Sequence, residues 1–255
     1  MKLRTAIVLV AAFVSGAGCG PKSIKKLPVP REDEIRAIQL AAEADQMMSE
    51  NKDHLALSKL LDASYLNPYS ESIFNKLAVC YSRLGMFDQG EKAINRAIGL
   101  NSKYPFAYNT LGIVLLGKQK EKRATGAFRK AIKLQPRIAN FYLNLGYAEI
   151  QRGHMKEARV AYSKALEMDP SALNATMVVE LGLVNTPENA EKYYKTAVVF
   201  AEIGSLPYCL KYLSDALASG FSDFERLESE KAFQGFREDP DFQELLQRYG
   251  IDSHP

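Results

Sequence analysis

Four alanines, Ala63, Ala97, Ala131 and Ala165, stand 34 residues apart, and this recurrence constrains the fold more than any other feature of the chain. Periods of this size mean stacked helical hairpins, each a unit that cannot bury its own apolar flank and is covered only by its neighbours. With 47% hydrophobic and 25% charged residues the composition is that of a folded chain with a real core, so a disordered chain is not expected.

Other residues recur with the alanines. In 105–138 they are Tyr108, Leu111, Gly112, Ala124, Phe128 and Pro136, with Gln119 at the turn. In 139–172 they are Tyr142, Leu145, Gly146, Gly153, Ala158, Tyr162 and Pro170. Upstream, 71–104 holds Phe74, Leu77, Ala78, Tyr81, Gly85 and Gly90, with Ser102 in place of proline. The match over 37–70 is looser, through Leu40, Ala44, Met47, Ala56, Leu60 and Pro68, and Glu43 takes a normally apolar place, as suits a terminal unit with one face in water. The small residues Gly112, Gly146, Ala124 and Ala158 predict close approach of paired helices, with Tyr108, Phe128, Tyr142 and Tyr162 filling the space between hairpins.

On these residues the chain resembles the tetratricopeptide-repeat family. The resemblance implies an all-α, right-handed superhelical solenoid of about five helical hairpins with a helical C-terminal cap, and a concave surface lined by the first helix of each hairpin. Partners of this family are peptides or helices laid along that surface. The register places Asn75, Val79, Arg83, Phe106, Asn109, Ile113, Leu116, Leu143, Tyr147, Ile150, Tyr194 and Val198 in the groove. A groove so apolar in its middle predicts an apolar or amphipathic protein segment as partner. One subset of the family grips a C-terminal carboxylate with lysines, arginine and asparagines; Asn75 and Asn109 fit that pattern but the lysines are absent, so that activity is not carried over.

The organisation predicted is repeats one to four over 33–172, an insertion over 173–189 read as an extended or irregular segment, a degenerate fifth repeat over 190–223, and a capping segment over 224–255. The fifth repeat rests on Tyr193, Ala197, Phe200, Gly204, Cys209, Leu213 and Ala216, since Ala216 lies 51 residues after Ala165. In the last segment Asp239-Pro240 is a helix-start signal. The closing segment or the insertion could instead fold back into the groove.

Residues 1–18 have the layout of a signal peptide: Lys2 and Arg4, an apolar run from Ala6 to Val14, then small residues. Nine apolar residues make a helix of about 14 Å, too short for a hydrocarbon core of about 30 Å. Gly16-Ala17-Gly18-Cys19 resembles the lipobox of bacterial lipoproteins, which implies lipidation of Cys19 and tethering in the bacterial cell envelope facing the periplasm. Gly16 stands where that motif usually has leucine, so cleavage after Ala17 to give a soluble periplasmic or secreted protein is the alternative. Residues 19–32 read as a flexible tether.

No catalytic constellation is legible, so the chain reads as a non-enzyme without cofactor, metal or small-molecule substrate. His54 and His154 fall in predicted turns and His254 in the tail, none at metal-ligand spacing. Cys80 and Cys209 fall in the second and fifth repeats, too far apart for a disulfide. The formal charge of +3 drops to about +1 once Lys2 and Arg4 leave, which gives no electrostatic case for nucleic acid. What remains is a protein-binding scaffold or adaptor anchored in the envelope. Alternatives within that class are a pilotin-like assembly factor for a pilus or secretion system, or a regulatory subunit of an envelope hydrolase.

Overall fold

The computed structural model of the protein describes residues 27–172 and 187–251. The expected leader 1–18, Cys19, His254 and most of the expected 173–189 insertion lie outside the described residues. Among the described residues every regular element is helical. Four hairpins pair α1 (Arg31–Ser49) with α2 (Asp53–Leu66), α3 (Glu71–Arg83) with α4 (Phe87–Leu100), α5 (Pro105–Gly117) with α6 (Glu121–Leu134), and α7 (Ala139–Gln151) with α8 (Met155–Met168). A fifth pairs α9 (Pro187–Ile203) with α10 (Leu206–Ala218), and the chain closes with α11 (Phe224–Ser229), a 3₁₀ helix (Lys231–Phe236) and α12 (Pro240–Arg248).

This is the all-helical solenoid that the 34-residue period predicts, with two boundaries moved. The first helix begins at Arg31, inside the expected tether, and Glu32, Asp33 and Glu34 in its first turn complement the positive end of the helix dipole. The fifth hairpin begins at Pro187, inside the expected insertion. In the closing segment Pro240 opens α12 and the Asp239 carboxylate accepts from the amides of Asp241 and Phe242, as the helix-start signal requires.

Every turn between paired helices is built alike. In the third hairpin Gln119 N–H donates to the Leu116 carbonyl (2.9 Å) and Lys120 N–H to that of Leu115 (2.8 Å), which satisfies carbonyls left open at the end of α5. The geometry demands a left-handed residue, and the positions that supply it are Asn51, Gly85, Gln119 and Gly153, again 34 apart, with Gly204 in the fifth hairpin. Between hairpins the chain leaves the second helix through extended residues Asn67, Asn101, Gln135 and Asp169, whose amides donate to the carbonyls of Ala63, Ala97, Ala131 and Ala165. All four periodic alanines are buried, so any larger side chain would separate the helices they join.

The seam within a hairpin differs from the expectation. Phe128 and Tyr162 do not simply fill the space between units: their rings lie against the backbones of Gly112 and Gly146 in the same hairpin. A Cβ on Gly112 would sit 2.4 Å from Phe128 Cε1, and one on Gly146 would sit 2.8 Å from Tyr162 Cδ1. Tyr162 then reaches Phe200 of the next hairpin, ring centroids 4.7 Å apart. Tyr108 and Tyr142 act at the loops instead, where their hydroxyls donate to the carbonyls of Ser102 (3.0 Å) and Pro136 (3.1 Å).

Stacking sets the curve. Successive first helices α1, α3, α5 and α7 pack against one another as well as on their partners, and α9 continues the row by docking on α7 and α8 across the interruption. Second helices are spaced apart by the first helix of the next unit, so the first helices line the inside of the array. The apolar interior divides into three clusters, over hairpins one and two, over hairpins three and four, and over hairpins four and five with the closing segment. Cys80 and Cys209 are buried free thiols in different clusters; burial pushes Cys80 up to about 11 and Cys209 up to about 12.

Two stability changes follow from these seams. Gly112→Ala should destabilise by about 1–3 kcal/mol in chemical denaturation, because the fully buried Phe128 ring has nowhere to move. The same substitution beside Phe128→Leu should cost less than the sum of the single changes. Gln119→Gly should stabilise by about 0.5–1 kcal/mol, the relief of a left-handed side chain less the entropy of glycine, and raise the thermal midpoint by a few degrees. An unchanged or lower midpoint by circular dichroism would contradict it.

Candidate functional site

The inner surface is a ladder of first-helix positions repeating every 34 residues. One rung runs Ile38, Ser72, Phe106, Asn140; the next Ala41, Asn75, Asn109, Leu143; the next Asp45, Val79, Ile113, Tyr147. Exposure along the ladder is uneven. At the N-terminal end Ile38 is 60% and Phe106 41% exposed, while Asn75, Val79, Asn109 and Leu116 are half-buried and reachable. Ile38, Ser72 and the Asp45–Lys76 ion pair belong to this region too, although the groove residues expected from register leave the first repeat out.

Further along, the ladder closes, and four expected groove residues are corrected. Ile113, Leu143, Ile150 and Tyr194 are buried within the apolar clusters and offer a partner no surface. Tyr147 and Val198 remain half-buried; burial, with the neighbouring Tyr193, holds the Tyr147 phenol well above its ordinary value and keeps it neutral. The physical reason is clearest at Tyr194. Its ring stacks on Phe221 (4.2 Å between centroids, 5° between planes), meets Phe233 edge-on and lies under the Arg226 guanidinium at 4.5 Å. The closing segment therefore covers Tyr194, the first of the two groove residues expected from the fifth repeat.

Arg83 is the second correction. Its Nε donates to Asp53 Oδ1 (2.6 Å), and its Nη2 donates to the Met48 carbonyl and Asn51 Oδ1 (both 3.0 Å). The guanidinium fastens the first hairpin's turn to the second hairpin and is only 12% exposed, so it brings no free charge to the groove.

The two asparagines differ in state. Asn109 Oδ1 accepts from Asn144 Nδ2 at 2.8 Å, whereas Asn75 Oδ1 is buried with no hydrogen-bond partner. An unpaired buried carbonyl oxygen is costly, and a donor arriving with a ligand removes that cost.

One convergence of titratable groups is not legible from spacing. Glu149 is buried and its carboxylate meets Arg129 (2.7 Å), Arg152 (2.9 Å) and His154 Nδ1 (3.1 Å). It joins α6, α7 and the turn before α8 with both oxygens occupied, which makes it a structural tie. His54 is exposed at the start of α2. Among the described residues no cluster of His, Cys, Asp or Glu has the arrangement of a metal site, and no helix is long and apolar enough to cross a membrane.

Residues 71–104 and 109–172 each match a sequence model described as a tetratricopeptide repeat. Small glutamine-rich tetratricopeptide repeat-containing protein 2 of Mycosarcoma maydis is 30% identical over 101 residues, which covers 40% of this chain and 29% of that protein. The chain thus spans less than a third of the length of this relative. Among solved structures, TTC0263, a thermophilic TPR protein of Thermus thermophilus, overlays with a TM-score of 0.54 at 18% identity, over 78% of this chain and 99% of that one. YrrB, a TPR protein with an unusual peptide-binding site, overlays with a TM-score of 0.47 at 18% identity, over 79% of this chain and 94% of that one. At such identity the first of these likenesses speaks to fold alone, and the second carries no argument. The periodic residues, the stacked hairpins and the matched models agree: residues 71–104 and 109–172 are tetratricopeptide repeats, set in an all-helical array of the same kind of hairpin.

Proposed function

We propose that the protein is a protein-binding scaffold, without catalysis of its own, that takes a peptide or helix on the N-terminal half of its inner face. The observation that carries this reading is the pairing of an exposed aromatic with an unsatisfied acceptor on neighbouring rungs: Phe106 projects from one, and Asn75 Oδ1 waits unpaired on the next. An apolar side chain on a partner would cover Phe106, and a turn of the half-buried Asn75 side chain would bring its buried oxygen out to a partner's backbone amide. The Asp45–Lys76 pair leaves the rim nearly neutral, which favours an apolar or amphipathic segment over a charged terminus.

The anchoring belongs to the same proposal and rests on residues 1–19: a basic start, an apolar run and a cysteine after small residues. In this reading Cys19 is lipidated and the chain works in the bacterial cell envelope facing the periplasm, recruiting its partner to an envelope machine. A pilotin-like role in pilus or secretion assembly, or a regulatory role beside an envelope hydrolase, would use the same groove.

Affinity capture from solubilised envelopes, comparing the unmodified chain with Phe106→Glu plus Val79→Glu, tests the groove. Both residues are accessible, so the variant should fold, and it should recover the bound protein at least about tenfold less. Equal recovery by both would end the groove reading. Metabolic labelling with a palmitate analogue should mark the chain and fail on Cys19→Ser; label retained by that variant would rule out this cysteine as the anchor.

A further inference from the structure

The outer face carries a feature that the groove does not use. Helix α6 buries Ala124, Thr125, Ala127, Phe128 and Ala131. Its exposed residues are Lys122, Arg123, Gly126, Arg129, Lys130 and Lys133, so every exposed side chain on this helix is cationic. From Lys118 to Arg137 eight basic residues meet one acidic residue, in a chain whose whole formal charge is +3. The exposed face of α4, one repeat earlier, is Asp88, Gln89, Lys92 and Asn95. Arg129 is matched by Glu149, and Lys118 by Asp88 and Glu91, but Lys122, Lys133 and Arg137 form no ion pair among the described residues. Cations three and four residues apart on one helix repel, and an anionic partner relieves that repulsion.

Beside the stripe, α6, α7 and α8 border an open cleft of about 510 Å³ with Leu145, Ala161 and Val160 along it. Lys156 and Glu157 stand at its edge with Lys164, which is paired with Glu167 (2.9 Å), so the net cationic charge lies on α6 and the cleft supplies the apolar contact. Val160 is 68% exposed, an apolar side chain left in water. The matching ligand is acidic and presents one large apolar side chain. The chain's own closing segment has this chemistry: from Asp223 to Glu244 eight acidic residues meet three basic ones. Phe224, 38% exposed, stands between the exposed Asp223 and Glu225, with Glu228 one turn on.

We propose that the basic face of α6 is a docking surface for the closing segment of a second copy of this chain. Phe224 enters the cleft beside Val160, and Glu225 and Glu228 meet Lys122, Lys130 and Lys133. Within one copy the closing segment packs on α9 and α10, away from the third hairpin, so the contact forms between molecules. Surface and ligand are different patches, so association is either a reciprocal two-fold dimer or a head-to-tail series that closes into a ring or stays open. An anionic lipid surface would neutralise the stripe but leave the cleft unfilled, which is why a folded partner with an exposed aromatic fits better.

Sedimentation velocity of the purified protein at about 100 μM in low salt tests this. Species larger than a monomer should form with concentration and dissolve as salt rises. Lys122→Glu with Lys130→Glu and Lys133→Glu should weaken association at least about tenfold, as should Glu225→Lys with Glu228→Lys; the two sets combined should restore it. All five side chains lie at the surface, Glu228 and Glu225 included, so circular dichroism should be unchanged and a loss of association cannot be a loss of fold. A monomer under all conditions overturns the proposal, as does a combined set that fails to restore association. Pelleting of a monomeric protein with phosphatidylglycerol vesicles, abolished by the α6 changes alone, would overturn it in favour of a membrane.

Discussion

An aromatic ring pressed against a glycine backbone holds each central hairpin together. Phe128 over Gly112 and Tyr162 over Gly146 bring the paired helices close enough for the small residues on either side to meet. Ridge-into-groove packing at that spacing fixes how one helix crosses its partner, and therefore where the next first helix can lie. The curve of the whole array is inherited from this local contact. Repeating it every 34 residues turns a hairpin that would be unstable alone into a column whose apolar flanks are shared.

Much of this was legible because packing residues must recur when their surroundings recur. The alanines, the glycines and the ring positions repeat, and so do the turn residues, even where Gln119 stands in a left-handed conformation that favours glycine. Legibility stopped where neighbours differ. Register gives the direction in which Leu143 or Tyr194 points, but not that the array or the closing segment covers it. Arg83 likewise has the position of a groove residue, and only the turn of the preceding hairpin, 30 residues away in sequence, shows that its guanidinium is already committed. Contacts made once in the molecule leave no period to detect.

Charge shows the same limit. A formal total of +3 describes a nearly neutral chain, yet the cationic residues gather on the third hairpin and the anionic ones on the ends. A total averages over distances far greater than the roughly 8–10 Å at which charges feel each other in saline, so it says little about any one surface. Excluding a class of partner from the sum alone is sound only when the charges are evenly spread.

The division of the interior into three apolar clusters gives the molecule a particular way of failing. A compact domain with one core loses everything when that core is breached. Here, damage at one end removes support from the adjoining plates and fades with distance, so the remainder keeps its shape. Heat or protease should peel such a chain from its weaker end, and what an observer recovers midway is a shorter column still able to stand.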